Sequence, residues 1–312
     1  MDRAHETESP RLAALFPGQG VQRQGMGAPW RDTPSWEVVG ELSEASGHDV
    51  AELLLDTGTE TLARTDLAQI SVFAASLLSW LEFRRTVPHE FMTAFAGHSL
   101  GEYTALVASG ALTPADGARL VGARGRAMAE AARHRPGAMA AVMGGDAPEV
   151  EALAERVRHS GEDLWAANFN SPQQIVVAGS PEGVRATVAL AEKEGLRAKV
   201  LQVSAACHTP YMVPASEALT AALSGIRFRD THMPVVSNVD ARGHTRGSNW
   251  PGLCTLQLVS PVLWADTLYT LVRGYGCTQL TDFGPGRTMA ALARRVVPGT
   301  PAGPAPLPQL AL

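Results

Sequence analysis

Short apolar runs alternate along the chain with longer segments in which apolar residues recur at a helical spacing. The short runs predict buried strands at residues 11–16, 91–95, 234–239 and 279–283. The longer segments predict helices at residues 67–83, 100–109, 114–132, 261–273 and 288–297. Strands that alternate with helices are typical of α/β proteins, so we expect an α/β body.

A different order of elements interrupts this pattern in the middle of the chain. Strands are predicted at residues 138–143, 164–169, 174–178 and 196–203, and helices at 147–158 and 181–194. The resulting order, β-α-β-β-α-β, is that of a ferredoxin-like unit. We therefore predict a large α/β body formed by residues 1–134 and 205–297, with a small ferredoxin-like subdomain inserted at 135–204. Residues 298–312 hold five prolines and are expected to be a flexible tail.

Composition narrows the class of protein. The chain has 312 residues, of which 45% are hydrophobic, and this is enough to bury a large core. Its net charge of -5 argues against nucleic acid as a partner. The apolar helix at 67–83 is broken by Gln69 and by serines, which favours a core helix over a membrane span. Residues 1–10 are polar and predict no secretory signal, and three cysteines without paired spacing fit a reducing compartment, so we expect a cytoplasmic protein with no membrane partner.

The strongest chemical signal follows the predicted strand at 91–95. Residues 97–101 spell Gly-His-Ser-Leu-Gly, the pattern of a nucleophile elbow, in which Ser99 stands on a tight turn between a strand and a helix. Glycine is expected at 97 and 101 because a side chain there would collide with the neighbouring strand or helix. The amides at the start of the following helix would place partial positive charge where an oxyanion forms.

Arg124 differs from the other arginines of the helix predicted at 114–132. Arginines on a helix are usually a solvated face, and that interpretation remains open for this one. Gly122, Ala123 and Gly125 surround Arg124, however, and leave room for a ligand to approach its guanidinium.

His208 and Cys207 follow the last predicted strand of the subdomain. A histidine at a strand end is more often structural than catalytic, but a serine nucleophile requires a base, which His208 can supply. Cys207 is interpreted as a residue of the pocket wall, since Ser99 is the better-presented nucleophile. The spacing of the other histidines does not suggest a metal site.

The strand at 11–16 ends in the turn Pro17-Gly18-Gln19-Gly20. The turn lacks the glycine and lysine patterns of nucleotide phosphate loops. It is either a plain strand-ending turn or the source of the second backbone amide that an elbow serine needs for its oxyanion.

Seven motifs in order along residues 11–297 resemble the malonyl-coenzyme A:acyl carrier protein transacylases and the related stand-alone acyltransferases of polyketide synthases. The body of that fold is α/β-hydrolase-like. The motifs are residues 16–20, residues 97–102, Arg124-Gly125, residues 168–172, His208 before Thr209-Pro210, Gln257-Leu258, and residues 284–286.

The resemblance implies a ping-pong transfer of a malonyl-type group, in fatty-acid or polyketide biosynthesis, from coenzyme A to the phosphopantetheine thiol of an acyl carrier protein. Ser99 would attack the thioester and His208 would take its proton. Gln257 would accept the other imidazole N–H through a carbonyl oxygen. Other implied roles are oxyanion binding by the backbone amides of Gln19 and Leu100, carboxylate binding by Arg124, and pocket lining by His98. No cofactor is implied beyond the coenzyme A thioester, which is a substrate.

The choice of acyl group stays open at this point. Polyketide members that select malonyl often carry phenylalanine before the histidine, and those that select methylmalonyl often carry serine, whereas this chain has Cys207. A small wall leaves room for an alkyl branch, so methylmalonyl and ethylmalonyl are alternatives. An acyl hydrolase on the same fold and a non-catalytic docking module are further alternatives. Neither of them needs the Arg124 guanidinium to bind a carboxylate.

A carrier protein is expected to be acidic and therefore to need a basic face. Arg133, His134 and Arg135 form a candidate cluster, although a solvated helix end explains them equally well.

Overall fold

The computed structural model describes residues 10–203 and 205–308. Residues 1–9 of the polar N-terminal segment, Ser204 and residues 309–312 of the expected tail lie outside this description. The strands are β1 (Leu12–Phe16), β2 (Met92–Gly97), β3 (Ala138–Met143), β4 (Leu164–Ser171), β5 (Gln174–Gly179), β6 (Arg197–Val200), β7 (Val235–Val236), β8 (Gly243–His244), β9 (Gln279–Asp282) and β10 (Ala302–Pro304).

The helices include one long pair, α4 and α6, and several short segments. They are α1 (Val38–Ser46), α2 (Val50–Leu55), α3 (Thr59–Leu62), α4 (Thr65–Thr86), α5 (Gly101–Ala108), α6 (Pro114–His134), α7 (Ala147–His159), α8 (Pro181–Lys193), α9 (Val213–Leu223), α10 (Trp250–Gln257), α11 (Trp264–Tyr269) and α12 (Thr288–Val296). Within the described residues, none of these helices is long and apolar enough to cross a membrane.

The larger sheet has six strands in the order β10-β9-β1-β2-β7-β8. All of its pairs are parallel except β7 with β8 at one edge. Its central strand β1 is buried along its whole length. Because side chains alternate along a strand, Ala14 and Phe16 join the core that contains α4 and α6, while Ala13 and Leu15 join the core that contains α11 and α12. Helices therefore cover both faces, as the sequence pattern predicted for an α/β body.

The smaller sheet is antiparallel, with the order β4-β5-β3-β6. One of its faces packs on α7 and α8 through side chains such as Val142 and Val177. Its other face turns Met139 and Val176 towards the core of the larger sheet. Local signals fix both helices, since Asp146 forms a capping box with Glu149 at α7 and Ser180 caps α8. The predicted element order is present.

Three expectations from the sequence need correction. The helix expected at 261–273 begins as α11 at Trp264, because residues before it bond to β4: Val262 N–H donates to Ala167 O and Phe169 N–H donates to Val262 O, both at 2.9 Å. The strand expected at 234–239 stops at Val236, since the following residues turn beneath the elbow. The expected tail is not flexible throughout, because residues 302–304 form β10 beside β9, where an edge strand tolerates proline.

Candidate active site

The chain turns sharply at Ser99 between β2 and α5. Ser99 has φ of 50°, a strained value for a residue with a side chain. A Cβ atom at Gly97 would lie 1.9 Å from the carbonyl carbon of Gly101, and one at Gly101 would lie 2.1 Å from Phe16 O. Only glycine fits at these positions, as the sequence predicted, and the geometry is that of a nucleophile elbow.

Ser99 lies beside an imidazole that a main-chain carbonyl orients. Ser99 Oγ is 2.8 Å from His208 Nε2, and His208 Nδ1 is 2.8 Å from the main-chain oxygen of Gln257. Because a carbonyl oxygen only accepts, Nδ1 carries the proton and Nε2 is the free acceptor that faces the hydroxyl. The Gln257 side chain does not contribute to this hydrogen bond.

The electrostatics keep this imidazole neutral. Burial, and next the charge of Arg124, lower the pKa of His208 to about 3 from the usual 6.5. His208 is 4% exposed and has φ of 61°, so it shares the backbone strain of Ser99. A neutral imidazole is the form that can accept the serine proton.

Arg124 is fully buried, so it is not the solvated arginine that a helix surface usually carries. Its Nη2 lies 3.2 Å from Ser99 Oγ and 3.1 Å from Gln257 Oε1, and its Nη1 donates to Gln69 Oε1 at 2.5 Å. Within residues 10–203 and 205–308, its Nε–H has no hydrogen-bond partner. The guanidinium therefore reaches the nucleophile and keeps one buried donor unused.

The turn after β1 lies directly against the elbow. A Cβ atom at Gly18 would lie 2.8 Å from His98 O, so a larger residue would push the turn away. In the described part of the chain, the backbone N–H groups of Gln19 and Leu100 donate to no protein acceptor. Both amides that sequence reasoning singled out are thus free to bind another group.

His98 and Cys207 lie in the walls around Ser99. His98 Nε2 is 2.8 Å from Asn170 Oδ1, its ring meets Trp264 edge-on at 5.4 Å, and burial lowers its pKa. Cys207 is half-buried, and burial raises the pKa of its thiol, so it stays uncharged. Neither side chain has the environment of an activated nucleophile.

A cavity of about 210 Å³ opens at Ser99 between the two sheets. The body supplies Ser99 and His208, and the smaller sheet supplies Met139 and Val176. A second cavity of about 510 Å³ adjoins it, since Gln19, Val203 and Cys207 line both. Arg124 and Gln257 are not in the surface of either cavity. Both side chains contact Ser99 from the protein interior.

Sequence reasoning missed two residues that hold the elbow, and it missed the role of a third. Asn238 Oδ1 accepts the Ser99 N–H at 2.6 Å, and Asn238 Nδ2 donates to Gly97 O at 2.7 Å. Glu102 is fully buried next to them, and Gln69 holds Arg124. A signal existed for Glu102 and Gln69, because each is a polar residue in an apolar helix, whereas Asn238 lies in a turn, where asparagine is common.

The candidate basic cluster is largely neutralised. Arg133 and His134 both contact Glu130, at 2.5 and 2.7 Å. Arg135 pairs with Asp163 at 2.6 Å and lies over the ring of Tyr211. Paired side chains of this kind contribute little net positive charge to a docking face.

Comparison with known proteins points to a single family. The family described as acyl transferase domain matches residues 14–276. Proteins named malonyl CoA-acyl carrier protein transacylase are 36% identical over 290 residues in Haemophilus influenzae, covering 92% of both chains, and 35% identical over 308 residues in Mycobacterium tuberculosis, covering 96% of this chain and 99% of that one. A solved structure of malonyl-CoA:acyl carrier protein transacylase from Xanthomonas oryzae pv. oryzae superposes with a TM-score of 0.89 at 38% identity, over 96% of this chain and 95% of that one.

A further solved structure contains a partner. A type II polyketide synthase malonyl-transacylase, in complex with its acyl-carrier protein, is similar with a TM-score of 0.87 at 33% identity, over 94% of this chain and 95% of that chain.

Proposed function

Because the chain belongs to the acyl transferase domain family, we propose that it transfers a malonyl-type group from coenzyme A to the phosphopantetheine thiol of an acyl carrier protein. The reaction would serve fatty-acid or polyketide biosynthesis. One observation carries the proposal: Ser99 Oγ lies within hydrogen-bond distance of both a neutral imidazole and a buried guanidinium. The imidazole can activate Ser99 for acyl transfer of any kind, whereas the guanidinium can bind an acyl group that ends in a carboxylate.

Ser99 forms the acyl ester in the first half of the reaction. His208 Nε2 takes the hydroxyl proton as Ser99 Oγ bonds to the thioester carbonyl, and it returns that proton to the coenzyme A thiolate that leaves. Gln257 O holds the imidazole through Nδ1. In the second half the carrier thiol gives its proton to His208 and its sulfur bonds to the carbonyl carbon of the seryl ester. The bond from that carbon to Ser99 Oγ then breaks, and His208 returns the proton to Ser99 Oγ.

Two backbone amides stabilise the tetrahedral oxyanion in both halves. The free N–H groups of Gln19 and Leu100 come from the turn after β1 and from the start of α5, which lie in contact at Gly18. Donors fixed by the backbone need not reorganise when charge develops. Coenzyme A enters as a thioester substrate, and the mechanism requires no resident cofactor.

Arg124 binds the free carboxylate of the acyl group. Its Nε and Nη2 form one edge of the guanidinium, which matches the two oxygens of a carboxylate. The unpartnered Nε and the nearness of Nη2 to Ser99 Oγ support this role. An acyl hydrolase acting on plain acyl chains has no use for such a buried cation, so transfer is favoured over hydrolysis.

A branched extender is the alternative that the small side chain of Cys207 leaves open. Cys207 lines both cavities, and its side chain is small, as is that of Ala205 in the second cavity. His98 lines the cavity at Ser99 together with Cys207. A methyl branch changes selectivity by only about 1 to 3 kcal/mol, so a comparison of malonyl-, methylmalonyl- and ethylmalonyl-coenzyme A is the direct measurement.

The proposal extends to the architecture. We assign residues 1–134 and 205–297 to an α/β-hydrolase-like body, residues 135–204 to a ferredoxin-like subdomain, and residues 298–312 to a proline-rich end. The elbow after β2 supports the first assignment, and the order β4-β5-β3-β6 supports the second.

Radiolabelled malonyl-coenzyme A tests the function. We expect a stable ester on the wild-type protein that moves to a holo acyl carrier protein when this is added. Ser99→Ala should carry no label, while Ser109→Ala, at the end of the same helix, should load normally. Free malonate without carrier would identify a hydrolase, and an unlabelled wild-type protein would refute acyl transfer.

A further inference from the structure

Glu102 is a buried carboxylate to which the proposed reaction assigns no task. It lies in the first turn of α5 and is completely buried. A buried carboxylate is costly unless hydrogen bonds compensate it, so its partners indicate its purpose.

One oxygen of Glu102 supports the nucleophile. Glu102 Oε2 accepts the backbone N–H of Asn238 at 2.6 Å. Asn238 in turn holds the elbow, through its contacts with Ser99 N–H and Gly97 O. This part of the network fixes the backbone of the strained turn.

The other oxygen fixes the orientation of the Gln257 amide. Gln257 Nε2 donates to Glu102 Oε1 at 2.8 Å and to Ser99 O at 3.0 Å. Both amide hydrogens are used, and Gln257 Oε1 is left to accept from Arg124 Nη2 at 3.1 Å. A carboxylate only accepts and a guanidinium only donates, so the amide between them has a single satisfactory orientation.

We propose that Glu102 is a positioning residue that sets the polarity of the Gln257 amide and thereby aims Arg124 at the carboxylate of the acyl group. The inference rests on the proposed function, since it concerns recognition of a carboxylate-bearing substrate. If Glu102 lost its acceptor at Oε1, the Gln257 amide would turn over and set its NH₂ group against the guanidinium. Recognition of the acyl carboxylate would suffer, whereas the contact between His208 and Gln257 O would stay.

Glu102 is ringed by groups that influence its charge. Arg124 lies on α6, Tyr103 on its own helix, Cys254 on α10 and Asp240 in the segment after β7. Burial raises the pKa of Glu102 to about 8, although the donors from Asn238 and Gln257 and the charge of Arg124 oppose this. Protonation would remove one acceptor oxygen, as replacement by glutamine does.

The test compares charged and uncharged acyl donors on three forms of the protein. Loading from malonyl-coenzyme A is measured against the burst with p-nitrophenyl acetate, which acylates Ser99 without needing Arg124. The forms are wild type, Glu102→Gln and Asp282→Asn. Asp282 is a matched control because it is another buried acid that accepts a backbone N–H, at 3.0 Å from Ala290.

Above pH 8, where Glu102 is ionised, we expect Glu102→Gln to lower kcat/KM for malonyl about tenfold more than for the acetate ester, mainly through KM. Asp282→Asn should leave this ratio unchanged. In wild type the ratio should rise as pH increases through about 8, and in Glu102→Gln it should be flat.

Equal losses for both donors would overturn the inference. The pH profile of wild type tests it even if Glu102→Gln fails to fold, since a flat profile contradicts it. A wild-type protein that takes up acetate but no malonyl would instead contradict the proposed function.

Discussion

The elbow region and the smaller sheet are built on different principles. Among residues 10–203 and 205–308, the non-glycine residues with positive φ are Ser99, His208 and Ala241, all outside β3–β6. The buried charged or titratable side chains Glu102, Arg124, His208 and Asp282 also belong to the larger body in the described chain. The smaller sheet instead buries aliphatic side chains between β-strands and well-capped helices.

The strained backbone and the buried charges therefore lie in the larger body and not in the smaller sheet. Strained backbone and unused donors are tolerated where the surrounding structure over-determines them, and they concentrate at sites of chemistry. The smaller sheet follows the ordinary rules of packing and contributes only a wall to the cavity. Substitutions should therefore affect reaction rates in one region and stability in the other.

The largest effect is expected from His208→Ala. Removing the base should lower the rate of Ser99 acylation by about 10²- to 10⁴-fold, because His208 Nε2 is the acceptor placed 2.8 Å from Ser99 Oγ. Rapid-quench measurement of ester formation checks this. His159→Ala, at the exposed end of α7, should react as wild type does. A comparable loss of rate in His159→Ala would contradict the separation of reactive residues in the larger body from packing residues in the smaller subdomain.

Arg124→Ala should separate two classes of substrate. Malonyl loading should fall about a hundredfold or more, since a buried charge-assisted pair is lost, while acetyl loading is retained or improved. Parallel loading assays with both coenzyme A thioesters measure the ratio. The matched variant is Arg185→Ala on α8, which should change neither. Equal loss of both acyl groups in Arg124→Ala would remove the carboxylate-binding role.

Asn238→Ala should slow malonyl and acetyl loading alike, by about tenfold. The Ser99 N–H would lose its acceptor, and an unsatisfied buried amide costs about 1 to 3 kcal/mol, part of which appears as displacement of the elbow. Steady-state kinetics provide the readout. Asn170→Ala, which removes only the contact from the smaller sheet to His98, should cost a few-fold at most. If Asn170→Ala slowed loading more than Asn238→Ala, the smaller sheet would support the site more than the larger body does.

Acidic pH should weaken the fold before it weakens the chemistry. The pKa of His208 is lowered to about 3 in the folded protein, so the unfolded chain binds a proton below pH 6.5 that the folded chain does not. His208 therefore costs about 2 kcal/mol of stability between pH 7 and pH 5, while its imidazole remains a base. Urea unfolding of wild type and His208→Gln at both pH values isolates this difference. A fall in the acylation rate with an apparent pKa near 6.5 would contradict the lowered pKa of His208.

Val177→Ala is expected to have the smallest effect on activity. Its side chain is fully buried between the smaller sheet and its helices, and truncation should destabilise the fold by about 2 kcal/mol. Thermal unfolding and malonyl loading at 25 °C should diverge, with a lower Tm but an unchanged kcat/KM. A large fall in kcat/KM for the folded variant would mean that this sheet does more than form a wall.

The parts of the fold that sequence predicted are those fixed by nearby residues. Thr113, Asp146 and Ser180 mark helix starts by hydrogen bonds to residues close in the chain, and the glycines of the elbow are required by their own turn. Sequence therefore located Ser99 and the order of the smaller sheet. It also singled out Arg124, but for the wrong reason, since the glycines beside it pack against the backbone of Ser46 and Asp66 and leave no space for a ligand.

The supports of the site depend on residues that are distant in the chain. Asn238 escaped prediction, because it meets Ser99 across 139 positions and nothing local distinguishes it from a turn residue. Gln257 was predicted only through the family resemblance, because it holds His208 through its main chain and its side-chain identity gives no clue to that contact. Strand β10 was missed because proline argues against strands, although the edge of a sheet accepts it.

The pair of main-chain bonds between Val262 and strand β4 has a consequence for how acyl groups are selected. These bonds join the smaller sheet to the larger body beside the cavity at Ser99, so they oppose separation of the two sheets when substrate binds. Redesign for a bulkier extender should therefore begin with the side chains that line this cavity.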